Sequence, residues 1–145
     1  MADIAARQPE PEEILPHRPP FIFVSRIISI DPDKRAVAEY DVPADLPIFA
    51  GHFPGHPILP GVIILEMLAQ TGALALLCKK EHQGKLAYLA GVDSARFRKP
   101  VRPGDILRAE VVMESMRMQI GRAYGKVFVG DEEVADARVL FATQK

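Results

Sequence analysis

Apolar and polar positions fall along this chain in runs that mark out its elements. Phe, Ile and Val dominate residues 21–30 up to Asp31-Pro32-Asp33, and residues 35–42 alternate around Val37 and Tyr40. Two strands joined by a turn are expected there. Residues 43–61 are dense in Pro and Gly, a density that neither a helix nor a ladder survives, so a shaped loop is expected. From Val62 to about Lys80 strong helix formers run without Pro, and Pro60 stands just ahead, where a missing N–H costs least. A helix is therefore expected to start near Gly61. Segments 86–92, 95–101, 106–116, 122–129 and 134–142 read as strands, with turn signals at Pro103-Gly104-Asp105 and Gly130-Asp131.

Two strands, one long apolar helix and several more strands suggest an α+β domain, an antiparallel sheet covering a central helix. A helix apolar almost all round must be covered on most sides, by a curved sheet and by another subunit, so a homo-oligomer is expected. Residues 1–20, rich in Pro and Glu with a short helical turn at 12–15, read as an N-terminal arm ahead of a single domain over 21–145.

Composition changes this picture in a few places. At 145 residues with 48% hydrophobic content, the chain is about one domain long and can fill a core. The longest apolar stretch, 62–78, is interrupted by Glu66, Gln70 and Thr71 and falls short of a membrane span. Residues 1–13 have no basic segment followed by an apolar core and carry Asp3, Glu10, Glu12 and Glu13 instead, so nothing points to export. A single cysteine, Cys78, excludes an internal disulfide framework and a Cys-rich zinc site, and a cytoplasmic location is expected. The net charge of −1 argues against nucleic-acid binding as the main activity. One local exception is the run Arg96, Arg98, Lys99 and Arg102, with no acidic residue among them. It reads either as a solvated strand face or as a footprint for an anionic partner.

Candidate chemistry starts with Glu66, because a carboxylate in a buried helix is costly unless it is paired, protonated or open to a cavity. Gln70, four residues on, shares its helical face and can orient it. The alternative is an interface pair that fixes oligomer register. His52 stands in the stiff loop Gly51-His52-Phe53-Pro54-Gly55, and a neutral imidazole is a natural proton acceptor. Glu66 in an apolar pocket as proton donor and His52 as acceptor would suit elimination of water beside a thioester carbonyl. The free N–H groups at the helix start, Gly61 first, would hold the enolate oxygen. A metal site from His52, His56 and Glu66 is disfavoured because Pro54 and Pro57 forbid the helix that would pair the two His. Cys78 and His82 lie four apart but lack an electropositive or orienting third group, and Cys78 reads as core. No G-x-S-x-G elbow, P-loop or dinucleotide fingerprint occurs, so no cofactor is implied.

From Gly51-His52-Phe53-Pro54-Gly55-His56-Pro57-Ile58-Leu59-Pro60-Gly61-Val62 through Glu66 and Ala69-Gln70, the chain resembles the FabZ-type (3R)-hydroxyacyl-[acyl-carrier-protein] dehydratases. The resemblance extends to Leu15-Pro16-His17-Arg18-Pro19-Pro20-Phe21, to residues 92–101 and to Pro103-Gly104-Asp105. It implies the hot-dog fold, a curved antiparallel sheet around one long central helix. It implies catalysis by His52 and Glu66 from opposite subunits of a dimer, assembled three at a time into a hexamer, with no metal. Gly61 would bind the thioester carbonyl, and Tyr88 would gate an apolar tunnel for the acyl chain, with Gln70 also on the substrate site. Acyl carrier protein would dock on basic surface at the tunnel mouth, which favours the second reading of Arg96, Arg98, Lys99 and Arg102. A Glu at position 66, where FabA-type dehydratase/isomerases carry Asp, implies dehydration without isomerisation. Many relatives carry Tyr where Pro19 or Pro20 stands and Asp where Ser25 stands. The competing readings are a hot-dog thioesterase, with Glu66 activating water, and a non-catalytic acyl-carrier binding module.

Overall fold

The computed structural model of the chain describes residues 8–144. The arm's first seven residues, with their part of the export reading, lie outside the described residues. One turn of helix, α1 (Pro11–Ile14), precedes β1 (Arg26–Asp31) and β2 (Arg35–Asp41). The long helix α2 (Gly61–Leu77) follows, then β3 (Ala87–Phe97), β4 (Ile106–Arg117), β5 (Ile120–Val129) and β6 (Glu132–Thr143). The strands form one sheet in the order β1-β2-β4-β5-β6-β3, antiparallel at every junction. The hot-dog arrangement expected from the sequence is the one observed. Among the described residues no helix is long and apolar enough to cross a membrane.

Strand alternation shows which face meets the helix. Along β5, Gly121, Ala123, Gly125 and Val127 are buried, while Arg122, Tyr124 and Lys126 point away, the period-two pattern of a half-buried strand. Ala135, Ala137, Val139 and Phe141 repeat it on β6. Against this face lie Met67, Leu68 and Leu74 of α2, each at most 1% exposed. Helix and sheet approach so closely that a Cβ on Gly72 would stand 2.7 Å from Phe141 Cζ, and one on Gly125 would stand 2.9 Å from Leu68 Cγ. Each large apolar side chain buried here stabilises the fold by roughly 1.5–3 kcal/mol.

The helix starts where Pro60 places it. The Pro60 carbonyl accepts the Ile63 N–H at 3.0 Å and the Ile64 N–H at 3.4 Å. The N–H groups of Gly61 and Val62 therefore precede the first intrahelical bonds. Residues 67–77 are all buried, but toward the N-terminus Val62 is 69% exposed and Ile63, Leu65 and Glu66 are half-buried.

Three boundaries differ from expectation. Residues 21–25 are not a strand: the Phe23 N–H donates to Gln70 Oε1 and the Phe21 carbonyl accepts from Gln70 Nε2, so part of this backbone pairs with a side chain instead of a ladder. The two strands expected over 86–92 and 95–101 are one, β3, kept continuous by bulges at Leu89/Gly91 and Val92/Ser94. It ends at Phe97, and the Arg98 N–H turns to the Val134 carbonyl. The arm is also less detached than its composition suggests, because Leu15 is 1% exposed and packs with Val24, Ile27 and Ala73.

Sheet edges decide what remains uncovered. β3 is an edge strand, and Tyr88, Leu89, Val92 and Phe97 on it are 39–53% exposed. A long apolar edge is the arrangement soluble proteins ordinarily avoid unless something pairs with it.

Candidate active site

His52 sits in a loop closed by its own backbone. The Phe53 N–H donates to the His56 carbonyl at 2.9 Å, the His56 N–H to the Phe53 carbonyl at 2.7 Å, and the Ile58 N–H to the His52 carbonyl at 2.9 Å. Gly55 supplies the left-handed turn with φ 71°. The loop is moored to the main fold by the Leu59 N–H on the Val101 carbonyl. Inside it the His52 ring lies half-buried, stacked on Phe53 with centroids 4.1 Å apart. His52 Nδ1 is 2.8 Å from the Ile58 carbonyl oxygen. A carbonyl only accepts, so Nδ1 carries the hydrogen and the neutral ring presents Nε2 as its lone pair. The tautomer of His52 is thus fixed by the loop backbone. The cleft beside it, about 260 Å³, is lined by Gly61, Ile64, Phe97 and residues 98–101 among others. Phe97 lies over Gly61 so closely that a Cβ there would be 3.2 Å from the ring.

Glu66 faces elsewhere. Its Oε2 accepts from Gln70 Nε2 at 3.0 Å and lies 3.6 Å from His17 Nε2. Gln70 is 1% exposed and its amide has no rotational choice: Oε1 must take the Phe23 N–H at 2.8 Å, so the NH₂ faces Glu66 and the Phe21 carbonyl. Gln70 thus makes the hydrogen bond to Glu66 that its spacing on the helix allows, and the side chain presents little surface to a ligand. Ala69, Ala73, Ala87, Tyr88, Leu89 and Phe141 line the rest of this cavity. Its free space is about 10 Å³, about what a single water needs. Tyr88 stands at its wall, 53% exposed.

His52 and Glu66 therefore line two cavities that share no residue. His56 is exposed, and among the described residues no three His, Cys, Asp or Glu side chains gather as a metal site. Cys78, read as core, is half-buried at the helix end. Burial, and then the nearby Asp33 carboxylate, push its thiol up from the ordinary value, away from a reactive thiolate. Of the basic run, Arg98 pairs with Glu133 and Asp136 at 2.8 Å each, and Lys99 with Glu132 at 2.6 Å. Arg96 and Arg102 are exposed with no ion pair among the described residues. No role was read for His17 in the sequence, although it stands in the motif 15–21.

These features can be set beside known proteins. A family model described as a FabA-like domain matches residues 15–138. A Chloroflexus aggregans protein named 3-hydroxyacyl-[acyl-carrier-protein] dehydratase FabZ is 54% identical over 129 residues, 89% of this chain and 90% of that protein. The chain belongs to the FabZ-type dehydratase family. Relatives of the same name from Pelotomaculum thermopropionicum and Symbiobacterium thermophilum are 48% and 50% identical, covering 92% and 90% of this chain and 95% and 92% of theirs. A chain of the dehydratase heterocomplex ApeI:P from Xenorhabdus doucetiae superposes with a TM-score of 0.80 over 96% of this chain and 93% of its own. At 19% identity it supports the fold alone.

Proposed function

We propose that this protein removes water from (3R)-3-hydroxyacyl thioesters carried on acyl carrier protein, giving the trans-2-enoyl thioester during fatty-acid elongation. The observation that carries the mechanism is the separation of His52 and Glu66. A chain with a base in one cleft, an acid in another and a long apolar edge strand beside both reads as half of two sites. In the active homodimer, His52 of one subunit and Glu66 of the other face one substrate, and three dimers form a hexamer.

Nε2 of His52 takes a proton from C2, the C2–H electron pair becomes the new double bond, the C3–O bond breaks, and Glu66 protonates the departing hydroxyl, which leaves as water. The developing enolate oxygen is held by the Gly61 N–H at the helix start, where the helix dipole adds to the hydrogen bond. Gln70 orients Glu66 rather than touching substrate, and Tyr88 stands where it can gate the acyl tunnel between subunits. No metal or other cofactor takes part in this scheme, and the acyl group arrives on the carrier's phosphopantetheine. Arg96 and Arg102, without an ion pair among the described residues, meet the acidic carrier, while Arg98 and Lys99 are already neutralised by β6. The same reading places the enzyme in the cytoplasm. It treats residues 21–145 as one domain and 1–20 as an arm that contributes Leu15 and His17 to it.

Mass spectrometry of a 3-hydroxyacyl-carrier substrate treated with wild type, His52→Ala and Glu66→Gln tests the proposal. Loss of water by wild type alone supports it. Release of free acid would move the assignment to a thioesterase, and binding without turnover across several chain lengths would leave a carrier-binding module.

A further inference from the structure

His17 stands on the acid side of the site, beside Glu66, and the reaction scheme above does not use it. Its Nε2 stands 3.6 Å from Glu66 Oε2, the oxygen that already accepts the Gln70 amide at 3.0 Å. Its Nδ1 is buried and has no hydrogen-bond partner among the described residues. A proton on Nδ1 would be an orphaned buried donor, which is rarer and costlier than a buried nitrogen lone pair left alone. A proton on Nε2 instead points at a carboxylate oxygen. The titratable and charged neighbours of the ring are Glu66 from α2, Tyr88 from β3 and Arg18 next to it in the arm. Burial lowers the His17 pKa from the ordinary 6.5, and this outweighs the Glu66 carboxylate, which pulls the other way. The ring is therefore neutral at neutral pH, with its proton on Nε2.

We propose that His17 is a positioning residue for the catalytic acid. Together with Gln70 it commits Glu66 Oε2 to the protein, so that Oε1 is the oxygen that exchanges a proton with substrate. At 3.6 Å the His17 contact is longer than a hydrogen bond, and such contacts tighten when a site closes on its ligand. The cavity has room for about one water, so side-chain donors and not bulk solvent set the carboxyl rotamer. The inference rests on the dehydratase reading, with Glu66 as acid.

Two variants of similar volume separate donor from filler: His17→Gln keeps an N–H donor near the Nε2 position, and His17→Met removes it. Assayed with a 3-hydroxyacyl-carrier substrate, His17→Met is expected to lose about tenfold in kcat, the worth of one hydrogen bond of about 1.4 kcal/mol, with KM within about twofold. His17→Gln is expected to recover most of the loss, within about threefold of wild type. A kcat for His17→Met within about twofold of wild type, or a folded His17→Gln no better than His17→Met, overturns the assignment. Imidazole ¹⁵N spectra of the unsubstituted protein give a second readout that needs no variant. A protonated Nε2 and bare Nδ1 on His17 are expected, and the reverse tautomer overturns the proposal. If wild type does not dehydrate, the function reading fails, whereas dehydration with an indifferent His17 removes only the role of His17.

Discussion

Replacing Gln70 by Met removes three hydrogen bonds while nearly preserving volume. The Phe23 N–H, on a residue 4% exposed, loses its acceptor and cannot turn to water; an orphaned buried donor costs about 1–3 kcal/mol. Phe21 is 50% exposed, so water replaces the lost donor to its carbonyl at little cost. Glu66, whose side chain is 17% exposed, is only partly resolvated when the Gln70 amide goes, a loss of about 1 kcal/mol. The thioether returns a fraction of this through apolar contact, so the net destabilisation is about 2–3 kcal/mol. Urea unfolding followed by circular dichroism, at matched protomer concentration because assembly adds to apparent stability, measures it. kcat measured on the same preparation is expected to fall at least tenfold as Glu66 loses its orientation. Gln70→Glu separates the two effects, since it still accepts the Phe23 N–H but cannot donate to Glu66. A Gln70→Met loss below about 0.5 kcal/mol, the scale of an ordinary surface change, would refute the reasoning.

Gly125→Ala places a methyl 2.9 Å from both Leu68 Cγ and Val111 Cγ2, and overpacking of this kind is expected to cost about 1–3 kcal/mol, read from the urea midpoint. Because burial holds His17 below its unfolded pKa of 6.5, the unfolded chain takes up that proton first as pH falls. Stability is therefore full above about pH 6.5 and declines as pH drops through the folded value; unfolding curves at several pH values should show a shallower decline for His17→Gln. Arg96→Glu with Arg102→Glu is expected to raise KM for carrier-bound substrate about tenfold or more at low salt, with little change for a carrier-free acyl-pantetheine, and steady-state kinetics at two ionic strengths checks both.

Much of the architecture was legible because local chemistry dictated it. Pro60 ahead of a Pro-free apolar run marks the start of α2, and Gly130, with φ 61°, turns β5 into β6. What escaped the sequence depends on partners far along the chain. The stretch 21–25 has strand composition, yet its pairing is with Gln70, 47 positions beyond Phe23. Bulges hold 87–97 in one strand where Asp93-Ser94 suggests a break, and Asp93 is paired with Arg122 of β5. The basic run 96–102 has no acid within it, but the pairing of β3 with β6 brings Glu132, Glu133 and Asp136 alongside and neutralises half of it. His52 and Glu66 announced themselves as residue types in unusual settings. Their placement in separate cavities, and the approach of His17 to one of them, follow from how the arm and loops wrap the helix.

That separation has a genetic side. In the dimer read here, a copy lacking His52 and a copy lacking Glu66 are each inert with themselves, but paired together they rebuild one intact site, with both defects gathered in the other. Two null alleles of different kinds would complement, and two of the same kind would not. A single defective allele expressed beside a sound one would spoil sites in proportion to how often it is chosen as partner, because in such a dimer nothing at the catalytic positions would govern the choice of partner.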